Sequence, residues 1–230
     1  MSETAQNSHR ELIYVADPMC SWCWGFAPVI KAIARLIAAH QPAPGLAKPG
    51  LTPIMGGLRP LTRKAMNDDD KASIRHHWEE VAKRSGQPFD MTFFERDGFV
   101  YDTEPACRAV CLVRRLAPGL SFDYLERVQR AFYAEGSDVT DPDILAALAF
   151  DVAGIEPDEF RTAFNDVAIV YETAGDFHAA RQLGVSGYPT VILQSGQELA
   201  LLTQGYQPFD ALEDAVEQWL SGTLETQKAG

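Results

Sequence analysis

The chain has 230 residues, 46% of them hydrophobic and 23% charged, with a formal net charge of −12. That length and composition suit a soluble globular protein with a sizeable core, as one domain or one domain carrying an insertion. The acidic balance argues against binding nucleic acid or an anionic membrane surface, since both need basic patches. Residues 1–11 hold no apolar stretch of signal-peptide length and no run approaches transmembrane length, so the expected compartment is the cytoplasm. There, a close cysteine pair serves catalysis or metal binding more often than structure.

In chain order, Leu12-Ile13-Tyr14-Val15-Ala16 is an apolar run of buried-strand length, and residues 21–40 read as a long helix. Pro42, Pro44, Gly45, Pro49 and Gly50 make the loop that stops it. Leu51-Thr52-Pro53-Ile54-Met55 reads as a second strand that starts or bulges at Pro53, because proline is awkward inside a central strand. Beyond Gly56-Gly57-Leu58-Arg59-Pro60 the pattern turns helical. Residues 67–84 set Ile74, Trp78 and Val81 on one face, and Thr103-Glu104-Pro105 opens a helix that Pro118-Gly119 closes. Residues 121–136 place Leu125, Val128 and Phe132 at helical spacing; Thr140-Asp141-Pro142-Asp143 opens a helix that stops at Gly154. Two more helices, 157–165 and 167–183, complete the stretch. Strands return at 190–193 and 198–203 around Ser195-Gly196, before a closing helix that buries Leu212, Val216, Trp219 and Leu220.

The chemistry-bearing stretch is Asp17-Pro18-Met19-Cys20-Ser21-Trp22-Cys23-Trp24-Gly25. A strand, a tight connection and a helix opening at a cysteine make a thiol reactive, because free N–H groups and partial positive charge at the helix start favour thiolate. Cys20 is therefore the expected nucleophile, with Cys23 one turn on and able to close a disulfide with it. Pro28 lies inside the helix, where it deletes the hydrogen bond to the Trp24 carbonyl and should kink the axis. Trp22, between the cysteines, should be exposed and grip apolar substrate groups, whereas Trp24 reads as packing. Far downstream, Gly184-Val185-Ser186-Gly187-Tyr188-Pro189-Thr190 precedes the apolar strand Val191-Ile192-Leu193.

These two motifs, at opposite ends of the chain, resemble those of the DsbA-like family of thioredoxin-fold disulfide oxidoreductases, in particular its cytosolic FrnE-like branch. The resemblance implies an α/β thioredoxin-like fold with an all-helical insertion, divided as 1–60, 61–183 and 184–230. It also implies a cis bond before Pro189 that sets Tyr188 and Pro189 beside the nucleophile as substrate-binding residues, with Trp22. Asp17 is a candidate proton shuttle for Cys23, although a carboxylate before proline is also a turn former. The expected cofactor is none beyond the Cys20–Cys23 disulfide, with glutathione as a candidate co-substrate. Expected partners are disulfide- or dithiol-containing proteins or glutathione, with no nucleic acid and no membrane.

Two rival readings remain open. Kappa-class glutathione transferases and hydroxychromene-carboxylate isomerases share the implied fold, but carry a single serine or cysteine at the nucleophile position. A zinc-held binding module would use Cys20, Cys23, Cys107 and Cys111 together. Against it, Cys107 and Cys111 sit a helical turn apart among core-type residues, where free cysteines pack as small hydrophobes. His76, His77 and His178 read as solvated helix faces, and Arg59 as a candidate contact for an anionic substrate.

Overall fold

The computed structural model describes residues 9–224. A four-stranded mixed sheet forms the centre, in the order β2-β1-β3-β4. β1 (Arg10–Ala16) pairs in parallel with β2 (Gly50–Met55) and antiparallel with β3 (Thr190–Ser195), which pairs antiparallel with β4 (Glu198–Gln204). Between β1 and β2 runs α1 (Ser21–Ala39). Between β2 and β3 come α2 (Asp68–Ser85), α3 (Glu104–Leu116), α4 (Ser121–Tyr133), α5 (Pro142–Ala153), α6 (Pro157–Phe164) and α7 (Val167–Gln182), and α8 (Glu213–Ser221) closes the chain. This is a thioredoxin fold carrying an all-helical insertion.

Alternation along β1 decides what each face of the sheet meets. Leu12, Tyr14 and Ala16 join the large core with α1, while Ile13 and Val15 join Ile192 and Ala180 under the end of α7. By length and composition α1 is apolar enough to cross a membrane, which the sequence reading did not anticipate. Its buried residues, from Cys23 to Ile37, are nevertheless spent on the protein core. The inserted helices begin and end on local chemistry. Asn67 and Asp70 form a reciprocal capping box at the start of α2, and Gly86 ends it in the left-handed region at φ 74°.

Pro53 does not start or bulge the second strand. It sits mid-strand in register with Tyr14. β2 is an edge strand, where a proline is tolerated if its missing N–H faces away from the ladder. The insertion covers that edge: the Arg114 guanidinium donates to the Pro53 carbonyl (2.7 Å), and Asp176 accepts from the Met55 N–H (2.8 Å). Arg114 and Asp176 are themselves paired through two bonds of 2.7 and 2.9 Å.

An aromatic cluster ties the insertion to α1. Trp78 of α2 lies within 5.8 Å, ring to ring, of Phe89, Phe93, Phe94, Phe132 and Tyr133. Tyr133 in turn stacks on Trp24, centroids 6.4 Å apart.

Candidate active site

Cys20 is the N-cap residue of α1, with extended backbone and no side-chain bond to the helix N–H groups. No acidic residue stands in the first turn to offset the partial positive charge of the helix start. The Cys20 thiol instead points across to the Tyr188 carbonyl, 3.8 Å away. Tyr188 precedes Pro189 through a cis peptide bond. Its hydroxyl donates to the Gly56 carbonyl at 2.8 Å, anchoring this loop to the end of β2, and burial pushes that phenol up to about 12. The geometry thus places Cys20 against the loop of Tyr188 and Pro189.

Cys20 is 6% exposed and Cys23 fully buried. All four cysteines are free thiols. Burial, then the neighbouring Cys20, push the Cys23 thiol well above its ordinary range. The two thiols thus meet solvent differently, one at a surface and one sealed behind it.

Asp17 is both the turn former and a member of the site. One oxygen, Oδ1, accepts from the Met19 N–H at 2.8 Å, closing the turn before Cys20. The other, Oδ2, accepts from the Leu58 N–H (2.6 Å) and from the Cys107 thiol (3.4 Å). The carboxyl is wholly buried and burial raises its pKa, although these donors pull the other way. Its charge also acts on Cys23.

A cleft of about 230 Å³ opens beside Cys20. Trp22, Leu58, Arg59, His77, Tyr101 and Tyr188 line it, with Trp78 at the back. Trp22 is half-buried rather than exposed: its ring lies 6.0 Å from that of Tyr206, and the Arg84 guanidinium sits over both. No local pattern signals this clamp, because Tyr206 and Arg84 are far from Trp22 in the chain. His77 is a cleft residue rather than only a solvated one, whereas His76 faces Glu80 on the helix surface (3.8 Å) and His178 is exposed. Arg59 lies over the Tyr101 ring at 5.4 Å, at the cleft.

Trp24 is buried, as expected, and its indole donates to the Pro88 carbonyl at 3.0 Å. Pro28 does free the Trp24 carbonyl, and the Gln87 amide takes up that acceptor at 3.0 Å. In α3 the two buried cysteines address different carboxylates, Cys107 donating to Asp17 and Cys111 to Asp176 (3.5 Å). Among the described residues no group of three or more His, Cys, Asp or Glu could hold a metal ion, so the four thiols do not gather into one zinc site. The sequence carried no signal for the Cys107–Asp17 contact beyond two buried-type cysteines.

A solved structure from Nitrosomonas europaea, of a protein to which disulfide isomerase activity is ascribed, is 38% identical. It superposes with a TM-score of 0.83 over 93% of this chain and 98% of that one. The cytosolic disulfide reductase DsbM from Pseudomonas aeruginosa is 25% identical, with a TM-score of 0.72 over 90% of this chain and 98% of that one, and has also been solved with glutathione. The ClpXP adapter protein SpxH of Halalkalibacterium halodurans is 21% identical over 94% of this chain and 70% of its own length. A family model for the DSBA-like thioredoxin domain matches residues 11–217, nearly the whole described fold and both halves of the site. The chain belongs to the DSBA-like thioredoxin domain family.

Proposed function

We propose that this chain is a thiol–disulfide oxidoreductase acting through Cys20 and Cys23, in the reducing or isomerising direction, with glutathione as co-substrate. The observation that carries the reading is the asymmetry of the pair. Cys20 stands in an open cleft against the Tyr188 carbonyl, and Cys23 is sealed one turn behind it, close to a buried carboxyl.

The Cys20 thiolate attacks one sulfur of a substrate disulfide. A Cys20–substrate bond forms, the substrate S–S bond breaks, and the departing thiolate takes a proton from solvent. Cys23 then gives its proton to Asp17 and attacks the Cys20 sulfur. The Cys20–Cys23 disulfide forms and the second substrate thiol leaves with a proton. The substrate gains two electrons and the pair loses two; two glutathione molecules restore the dithiol by the same exchanges in reverse and leave as glutathione disulfide.

The direction is supported by the Pseudomonas relative, a cytosolic reductase solved with glutathione, which also favours a cytoplasmic setting. Arg59 at the cleft, and Arg84 beside Trp22, supply cationic groups for a carboxylate-bearing thiol despite the acidic chain, and His77 lines the same cleft. Tyr188, with its backbone toward Cys20, is the natural partner for an extended peptide disulfide.

The test is trapping. With glutathione disulfide, Cys23→Ser should stop at a mixed disulfide on Cys20, seen as glutathione added to the intact mass, while Cys20→Ser should form none. Equal trapping by both variants would overturn the assignment of roles.

A further inference from the structure

Cys107 lies in the first turn of α3, fully buried, on the helix whose backbone starts from Thr103. A buried free cysteine commonly behaves as a small hydrophobe. This one donates its S–H to Asp17 Oδ2 at 3.4 Å, the same oxygen that takes the Leu58 N–H. We propose that Cys107 is a positioning residue for the resolving step, its thiol orienting the Asp17 carboxylate and holding it ready to receive the Cys23 proton. This rests on the reading of Asp17 as the proton acceptor.

Two features support it. Burial, followed by the facing Asp17, pushes the Cys107 thiol well above its ordinary range, so it stays protonated and remains a donor throughout the neutral range. A donor bonded to a carboxylate favours the charged, proton-accepting form, opposing the burial that raises Asp17. The other groups that act on Asp17 are Cys23 from α1, the Thr103 hydroxyl and Tyr101 before α3, Tyr133 from α4, and Tyr188 from the loop before β3, while Cys20 meets it only through its backbone N–H on the Asp17 carbonyl. Burial raises the tyrosines and the Cys23 thiol, so they stay neutral and add no charge beside the carboxyl. Arg59 faces Tyr101 rather than the carboxyl.

Cys111 provides an internal control. It lies one turn further along α3, is equally buried, and donates to Asp176 outside the cleft.

The experiment follows the resolving step by stopped flow: the Cys20–glutathione mixed disulfide collapses to the Cys20–Cys23 disulfide, and its rate is recorded against pH. Loss of the donor in Cys107→Ala should move the profile to higher pH by about one unit, equivalent to ~1.4 kcal/mol. Cys107→Ser keeps a donor and should restore the wild-type profile, and Cys111→Ala should leave it in place. If Cys107→Ala fails to fold, Cys107→Val, which fills the space without a donor, takes its part. A wild-type profile in the donor-less variant, with Asp17→Asn still flattening it, overturns the role of Cys107 and leaves Asp17 as acceptor. A profile unchanged by Asp17→Asn overturns the acceptor reading itself, and the role of Cys107 with it.

Discussion

The buried Asp17 carboxyl should cost this fold stability at neutral pH, and Asp17→Asn exposes that cost. Burial raises the carboxyl above its ordinary pKa against the pull of the Leu58, Met19, Thr103 and Cys107 donors. For a carboxyl whose folded pKa lies above the unfolded one, the penalty is absent below the unfolded value. It grows as pH rises between the two and is complete above the folded value. Each unit of separation amounts to ~1.4 kcal/mol. Asparagine has the same shape and no charge, so the variant escapes the penalty but incurs another. Its amide oxygen can stand at Oδ2 and keep the Leu58 and Cys107 bonds, but the NH₂ then faces the Met19 N–H that Oδ1 accepted at 2.8 Å. One buried donor left unmade costs about 1–3 kcal/mol at every pH. The variant should therefore be the less stable protein below about pH 4, with the gap closing or inverting toward neutrality as the wild type becomes charged. Urea unfolding of both reduced proteins across that range measures it. A gap that is flat, or that widens with rising pH, refutes the reasoning.

Three further outcomes follow from the same geometry. Limited alkylation near neutral pH, mapped by peptide mass spectrometry, should modify Cys20 first, because Cys23, Cys107 and Cys111 are fully buried and their thiols are pushed up; early labelling of Cys107 or Cys111 would sink it. In Gly56→Ala the new Cβ would meet the Tyr188 ring at 2.1 Å, shifting the carbonyl that faces Cys20. Turnover of glutathione disulfide should fall about 10- to 100-fold, while Gly119→Ala, with nothing within 4 Å, should match wild type. Arg114→Met strips Asp176 of its partner at the β2 edge and should cost about 2–3 kcal/mol after allowing for partial exposure of both side chains, read as a lower urea midpoint; an unchanged midpoint would show the edge clamp to be idle.

The fold was legible where local chemistry decides it. The spacing of Ile74, Trp78 and Val81 names one helix, the Asp141 cap and the Gly154 stop bound another, and the structure has both. The helix that opens at Cys20 was legible too, because that opening is a local event. Pro53 misled because its tolerance depends on β2 lying at the sheet edge, which no local pattern states. Trp22 misled for a similar reason: its partners Tyr206 and Arg84 come from the loop after β4 and the end of α2. Cys107 could be read as buried but not as bonded. Its partner is 90 residues away, joined only once the insertion folds back under the β1–α1 turn.

In the proposed mechanism, that return of the insertion would link substrate binding to proton transfer. The loop that leaves β2 supplies both Leu58, whose N–H holds Asp17 and whose side chain lines the cleft, and Arg59, which stands at the cleft. Its start is held by Tyr188 on Gly56, and the strand before it by Arg114 and Asp176 of the insertion. A substrate pressing on Leu58 or Tyr188 therefore acts on the same short segment that donates to the Asp17 carboxylate. Cys107, fixed in α3, holds that carboxylate from the other side. A site assembled this way can keep the proposed acceptor in place while the cleft adjusts to its substrate, because one donor belongs to the loop and the other to the helix beneath it.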